Sequence, residues 1–225
     1  MIDLDFRAPS FFYIFRDFAK EPVKRYTNDY LDSDCEPEDF LVNIQTSLGT
    51  KGKLLVGVAD PSIEAIEEMA MKSRSWEARA LQKLFRLRST LDESFDTEVC
   101  ILDTSPGIHY SSLNAIVASD AVVLVTSPSR LDLEAVASIL DNYADILKDK
   151  FHIIVNKTFP LRNDVMVESP EEAINTLPQS ARRRIIHKVP CYCSLLTGDT
   201  IQIIHQKEHP LREDIARIAN NLNLS

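Results

Sequence analysis

Long apolar segments are absent from this sequence of 225 residues, whose longest hydrophobic runs have about five residues. A helix that spans a membrane needs about 20 consecutive apolar residues, so none is predicted. The N-terminus carries Asp3 and Asp5 where a signal peptide would be basic and then apolar. The sequence therefore predicts no signal peptide either.

Basic residues and cysteines are also scarce. Lysine and arginine number 25 against 34 acidic residues, a formal net charge of −9, and so negative a protein repels the phosphates of nucleic acids. Four cysteines, among them Cys35 and Cys100, are too few for a disulfide framework. The spacing of Cys191 and Cys193 is not that of a CxxC zinc or redox pair. We therefore expect reduced cysteines in a cytoplasmic protein.

Short runs rich in valine, isoleucine and leucine alternate with segments of helical periodicity. Such runs are typical of strands covered on both faces. Strands are predicted at Met1–Asp5, Lys53–Ala59, Val99–Leu102, Ala121–Val125, Phe151–Val155 and Ile185–Val189. Helices are predicted at Asp60–Leu91, Ser111–Ser119, Leu131–Leu147, Ser169–Arg183, Leu195–Gln206 and Arg212–Leu222. The alternation predicts an α/β protein, one domain over residues 1–225, with a mostly parallel central sheet flanked by helices in three layers.

Two carboxylates stand at the end of the first predicted strand. Asp3 and Asp5 alternate along the strand, so they point to the same side of the sheet. Parallel sheets bind ligands at the carboxyl ends of their strands, where two acids could position a metal ion or orient a water molecule. A solvated strand end is the alternative interpretation.

A more specific pattern follows the predicted strand Val99–Leu102. Residues 103–107 read Asp-Thr-Ser-Pro-Gly, which is the Walker B arrangement of an apolar strand, an aspartate and a turn that ends in glycine. In that arrangement Asp103 meets Mg²⁺ and the amide of Gly107 approaches a γ-phosphate. A simple strand-to-helix turn is the alternative.

Two later strand ends carry weaker signals. Asn156 follows the strand Phe151–Val155, and its amide offers a donor and an acceptor to the edge of a purine base. Pro190 follows the next strand and could form a wall against a flat base. Asparagine and proline also occur at strand ends for structural reasons alone.

Taken together, these segments resemble the MinD/ParA group of P-loop ATPases. The specific matches are Ile2–Ser10, which is similar to the family's IDxDxxxPS segment, and Val99–Gly107 with Ala118–Pro128 after it. Val155–Lys157 and Val189–Pro190 match the base-binding loops loosely. The resemblance extends from residue 1 to about residue 222.

The resemblance implies a role for each matching residue at the phosphate end of the site. Asp5 would be oriented toward the attacking water, and Asp3 would lie near the metal ion. Asp103 would be the Walker B carboxylate on Mg²⁺, and Gly107 would belong to switch II.

For the rest of the site, the resemblance implies that Asn156 contacts adenine and that Pro190 and Cys191 line the base pocket. The implied function is an ATP-binding switch that hydrolyses ATP with Mg²⁺ and dimerises with nucleotide. Such a switch acts in partitioning, positioning or assembly, with a regulatory protein as a further partner.

One motif of the family does not occur in these 225 residues. The sequence contains no G-x-x-x-x-G-K-[ST], the loop whose amides and lysine hold the phosphates. The resemblance implies that the chain begins inside the family's second strand and lacks the first strand and the phosphate loop. Either a start codon was placed too late or this is a truncated relative. The alternative function is a non-catalytic pseudo-ATPase module that pairs with a complete paralogue.

A basic cluster, Arg182–Arg184, ends the predicted helix Ser169–Arg183. It could contact DNA phosphates, which is the one route by which this acidic protein would bind nucleic acid. Basic residues at a helix C-terminus also complement the helix dipole without any ligand.

Overall fold

The computed structural model describes residues 1–19, 22–32, 34–44, 52–158, 169–192 and 208–223. The chain divides into two compact units, Met1–Ala118 and Ser119–Ser225. Each unit contains a sheet and helices of its own. The expectation of a single domain over residues 1–225 stays a prediction.

The first unit contains a four-stranded sheet in the order β2-β3-β1-β4. Its strands are β1 (Ile2–Leu4), β2 (Leu41–Asn43), β3 (Leu55–Gly57) and β4 (Leu102–Thr104). β1 pairs in parallel with both β3 and β4, whereas β2 is antiparallel to β3. The parallel pairs bring the carboxyl ends of β1 and β4 to the same edge of the sheet.

The helices of the first unit are α1 (Phe11–Phe15), α2 (Thr27–Asp32), α3 (Pro37–Phe40), α4 (Ile63–Ala70), α5 (Arg74–Phe95) and α6 (Tyr110–Ala118). The long α5 buries one face, which consists of Trp76, Ala80, Leu84, Leu87 and Leu91. The predicted helix Asp60–Leu91 is wrong as a single element. Ser62 and Ser73 each accept a backbone N–H as N-caps, so α4 and α5 begin separately.

The second unit has the sheet order β5-β6-β7, all parallel. The strands are β5 (Val122–Thr126), β6 (Phe151–Thr158) and β7 (Ile185–Pro190). The helices are α7 (Arg130–Asn142), α8 (Ala144–Leu147), α9 (Pro170–Ile174), α10 (Gln179–Arg182) and α11 (Leu211–Asn221). Leu133, Ile153 and Val155 are fully buried in its core. The predicted helix Leu195–Gln206 lies outside the described residues.

Two predicted strand boundaries are wrong in ways that affect the site. β4 begins at Leu102 and includes Asp103, because pairing with β1 starts only at Ile2, opposite Leu102. β6 continues to Thr158 and includes Asn156, because its last residue pairs with Pro190 of β7. Predicted helices also divide at Tyr143 and between Ile174 and Gln179. The α/β class with parallel sheets and helices is confirmed.

Candidate functional site

The candidate site lies at the carboxyl ends of β1 and β4. In the parallel register, Asp3 is opposite Asp103 and Leu4 is opposite Thr104. This register places the three acids of the sequence prediction, Asp3, Asp5 and Asp103, at one edge of the sheet. Their charges interact, since each neighbouring carboxylate contributes to raising the pKa of Asp3.

Asp3 is fully buried, and both of its oxygens accept backbone hydrogen bonds. Oδ1 accepts from the N–H of Asp5 at 3.0 Å, and Oδ2 accepts from the N–H of Phe11 at 3.3 Å. Burial raises the pKa of Asp3 to about 6, in spite of these two donors and with help from the charges of Asp103 and Asp5. Asp3 therefore ties the end of β1 to the start of α1.

Asp5 is oriented by three donors on a single oxygen. Oδ1 accepts from the N–H groups of Arg7 at 3.2 Å and Ala8 at 3.1 Å, and from the hydroxyl of Ser105 at 2.5 Å. Within the described residues, no donor forms a hydrogen bond with Oδ2. The half-buried carboxylate thus has one oxygen anchored and the other available to a ligand.

Asp103 is half-buried on β4. Burial is the largest cause of its raised pKa, and the charge of Asp5 is the second largest. A hydrogen bond from the N–H of Thr104 has a smaller effect in the opposite direction. A carboxylate whose charge is disfavoured by its surroundings gains most from a nearby cation. The surroundings of Asp103 therefore favour a cation beside its carboxylate.

This donor set fits Mg²⁺. No group of three or more His, Cys, Asp or Glu side chains among the described residues is arranged to hold a metal ion. Mg²⁺ does not require such a group, because it is usually bound by one or two carboxylates, several waters and the phosphates of a substrate. The free Oδ2 of Asp5 and the carboxylate of Asp103 meet that requirement.

The turn after β4 has the conformation that its glycine allows. Gly107 has φ of +86°, a region that residues with a Cβ rarely adopt. The hydroxyl of Ser112 lies 3.2 Å from the carbonyl of Gly107 and accepts the N–H of His109 at 2.8 Å. The turn therefore leads directly into α6. The role of Gly107 in switch II stays a prediction.

The predicted base-binding residues lie at the carboxyl ends of β6 and β7 in the second unit. Oδ1 of Asn156 accepts the N–H of Lys157 at 2.8 Å, so its carbonyl is used locally. Pro190 pairs in register with Thr158, and the N–H of Cys191 donates to the carbonyl of Thr158 at 2.9 Å. Their roles toward adenine stay predictions.

The arginine cluster has partners within the second unit. Arg182 donates to the side chain of Asn175 at 3.0 Å. Arg184 donates to the carbonyl and the carboxylate of Asp149, and its guanidinium lies over the ring of Phe151. These contacts favour the structural interpretation of the cluster, and binding of nucleic acid through it stays a prediction.

Sequence reasoning missed two features. Ser105 was passed over inside the Asp-Thr-Ser-Pro-Gly turn, although the pairing of Asp3 with Asp103 would have placed it opposite Asp5. Asp214, on α11, is buried and accepts from Nε2 of His187 at 2.7 Å and from the hydroxyl of Tyr192 at 2.5 Å. No local pattern signals this cluster, because it depends on how α11 packs on β7.

No protein-family model matches the sequence, and no curated protein matches it either. Solved structures do match. The septum site-determining protein MinD of Pyrococcus horikoshii, complexed with Mg-ADP, is 14% identical with a TM-score of 0.65, over 97% of this chain and 80% of that one. A chain of the MinC:MinD cell division protein complex of Aquifex aeolicus is 16% identical with a TM-score of 0.68, over 100% and 82%.

A plasmid partition protein of Borrelia burgdorferi, bound to AMPPNP, is also similar. It is 14% identical with a TM-score of 0.65, over 99% of this chain and 83% of that one. The chain has the MinD/ParA fold. The fold predicted from the segments Ile2–Ser10 and Val99–Gly107 is thus confirmed. In the described part of this MinD/ParA fold, no helix combines the length and the apolarity that crossing a membrane requires.

Proposed function

We propose that the protein is a nucleotide-dependent switch of the MinD/ParA type, which binds ATP with Mg²⁺ and acts in partitioning, positioning or assembly. The observation that carries the proposal is the pair Asp5 and Asp103 at adjacent strand ends. Asp103 has a raised pKa and Asp5 has an oxygen without a donor among the described residues. A divalent cation would stabilise the charge of Asp103 and give Oδ2 of Asp5 a partner.

Each carboxylate has a distinct task in the proposed switch. Asp103 would hold Mg²⁺, which neutralises phosphate charge when it is bound. Asp5 would share this cation through Oδ2 and orient the attacking water beside it, because its other oxygen is fixed by Ser105 and by two backbone amides. Asp3 would keep β1 and α1 in place behind them. Hydrolysis and nucleotide-dependent dimerisation belong to the same proposal.

The solved neighbours support the choice of ligand. One MinD structure is a complex with Mg-ADP, and the partition protein is bound to AMPPNP. The MinC:MinD complex supports a second expectation, that the switch works on a separate regulatory protein or on a second copy of itself. Purine recognition would fall to Asn156, Pro190 and Cys191.

Calorimetric titration with ATP and Mg²⁺ tests the proposal. We expect micromolar binding by the wild-type protein and at least a tenfold weaker affinity for Asp103→Asn, because one charged ligand of the cation is lost. Asp120→Asn is the control, since it removes a carboxylate outside the site. Equal affinities for wild type and Asp103→Asn would contradict the proposal.

A second candidate function is a non-catalytic module that pairs with a complete paralogue. It is favoured by the sequence, which contains no G-x-x-x-x-G-K-[ST] for the phosphates. The same titration separates the two functions. A cooperatively folded protein that binds no ATP, and whose sedimentation is unchanged by nucleotide, would support the module and remove the switch.

A further inference from the structure

The Asp-Thr-Ser-Pro-Gly turn contains a serine whose side chain is directed at the candidate site. Ser105 is buried, and its hydroxyl donates to Oδ1 of Asp5 at 2.5 Å, across 100 positions of sequence. This side chain is the link between the segment after β1 and the turn after β4. It contacts Asp5, whose carboxylate has the tasks of sharing the cation and orienting the attacking water in the proposed function.

The register of the sheet explains why the contact forms. The pairing of β1 with β4 ends at Leu4 opposite Thr104, so Asp5 and Ser105 are the next residues along the two segments. Side chains two positions apart in a strand point to the same face. Asp5 follows Asp3 by two positions, and its Oδ1 is the oxygen that the hydroxyl of Ser105 reaches.

The effect of the contact follows from how the donors are distributed over the carboxylate. Arg7 and Ala8 donate to Oδ1 of Asp5 from its own loop, and Ser105 donates to it from the turn after β4. A carboxylate with two local donors can still turn with its loop, whereas a donor from a neighbouring strand fixes it relative to that strand. Oδ1 is thus fixed relative to both segments, and Oδ2 has no donor among the described residues.

We propose that Ser105 is a positioning residue, whose hydroxyl holds Asp5 so that Oδ2 faces the cation shared with Asp103. This inference rests on the proposed function for the identity of the cation. The hydrogen bond between Ser105 and Asp5 does not depend on the cation.

Binding of Mn²⁺, a paramagnetic substitute for Mg²⁺, measured by electron paramagnetic resonance, tests the proposal. We expect Ser105→Ala to weaken Mn²⁺ binding about tenfold, the effect of losing one hydrogen bond to a charged group. Ser105→Thr keeps the hydroxyl and should remain within twofold of wild type. Thr27→Val is the matched control, because it removes another buried hydroxyl of the first unit, one that donates to the carbonyl of Val58.

A double variant distinguishes positioning from general loss of structure. If Ser105 acts through Asp5, Ser105→Ala should cost no further Mn²⁺ affinity once Asp5→Asn is present. Additive losses in the double variant would overturn the proposal. Wild-type affinity in Ser105→Ala, beside weak binding by Asp5→Asn, would overturn it as well.

Amide hydrogen exchange gives a readout that does not depend on any cation. The N–H groups of Arg7 and Ala8 share Oδ1 with Ser105, so both should exchange several-fold faster in Ser105→Ala and return to wild-type rates in Ser105→Thr. Unchanged exchange would overturn the positioning role. If Asp103→Asn binds Mn²⁺ as wild type does while these amides respond, the proposed function fails and the positioning of Asp5 stands.

Discussion

Asp3 in the first unit and Asp214 in the second are both buried aspartates, yet their pKa values are displaced in opposite directions. Burial raises the pKa of Asp3 to about 6, and the nearby charge of Asp103 adds to the effect. Burial also opposes the charged form of Asp214, but hydrogen bonds from Tyr192 and His187 outweigh it and hold the pKa below its usual value. Both acids are buried, and the hydrogen-bond donors and charges around each one decide the direction of its pKa shift.

The difference sets the proposed functional arrangement in the first unit apart from a structural one in the second. Asp3, Asp5 and Asp103 lie at one edge of the sheet, where the charges of neighbouring carboxylates disfavour the ionised forms of Asp3 and Asp103. A bound cation would remove this repulsion. Asp214 has a side-chain donor on each oxygen, so its negative charge is stabilised without a cation. The following substitutions test that contrast.

The largest effect is expected for Asp214→Ala. The substitution removes the charged acceptor of two partly buried groups, Tyr192 and His187. Each hydrogen bond to a charged group contributes about 1.5 kcal/mol, so the free energy of unfolding should fall by about 3 kcal/mol. Urea denaturation followed by amide exchange in β6 measures it. Glu213→Gln, an exposed neighbour on α11, should change stability by less than about 0.5 kcal/mol. Equal effects of the two substitutions would contradict a structural role for Asp214.

Asp3 should make the first unit less stable as the pH rises. Its pKa in the folded protein, about 6, lies above the ordinary value of 3.8, so the stabilisation is present below pH 4 and is lost as the pH passes through 6. The stability lost between these two pKa values amounts to about 3 kcal/mol. Fluorescence of Trp76, the single tryptophan, reports unfolding of this unit. Asp3→Asn should flatten the profile between pH 4 and 7, and a wild-type profile that rises over this range would refute the raised pKa.

Tyr192→Phe should reproduce part of the Asp214 effect. Loss of one hydrogen bond to a charged group costs about 1.5 kcal/mol. Since the pKa of Asp214 is lowered, its stabilisation is present at neutral pH and disappears as the pH falls below 4. The difference between wild type and Tyr192→Phe should therefore shrink in acid. A difference that is constant from pH 7 to pH 2.5 would show that Asp214 is not the group responsible.

The smallest expected effect is a gain in the stability of the first unit. Asp103→Asn removes a charge that raises the pKa of Asp3, so at pH 7 the first unit should be stabilised by about 1 kcal/mol, the size of a screened charge interaction. Carbon-13 NMR should show the pKa of Asp3 moving down at the same time. Destabilisation by Asp103→Asn would mean that its carboxylate is a structural group like Asp214.

Much of this architecture could be predicted because it depends on residues that are close together in the sequence. The apolar strands, the helix α6 after Gly107 and the acids at the ends of β1 and β4 all follow from short patterns. The strand β2 and the helices α1 to α3 were missed. Phe11–Phe15 is an unbroken apolar run without helical spacing, and only packing against the sheet decides its structure.

The contacts that give the site its chemistry could not be predicted in the same way. The hydrogen bond from Ser105 to Asp5 joins residues 100 positions apart and depends on the register of two strands. Whether Asp3 or Asp5 has an oxygen available to a ligand depends on which of their oxygens accept backbone N–H groups. The absence of the first strand and the phosphate loop, which the resemblance implied, stays a prediction.

The central claim is that Asp5 and Asp103 hold one divalent cation between them. Paramagnetic broadening of the amide NMR spectrum by Mn²⁺ with ATP tests it most directly. We predict that signals of Asp5, Thr104 and Ser105 broaden first in the wild-type protein and stay sharp at the same Mn²⁺ concentration in Asp103→Asn. Broadening of the same three signals in Asp103→Asn, or broadening centred on Asp214 instead, would contradict the account.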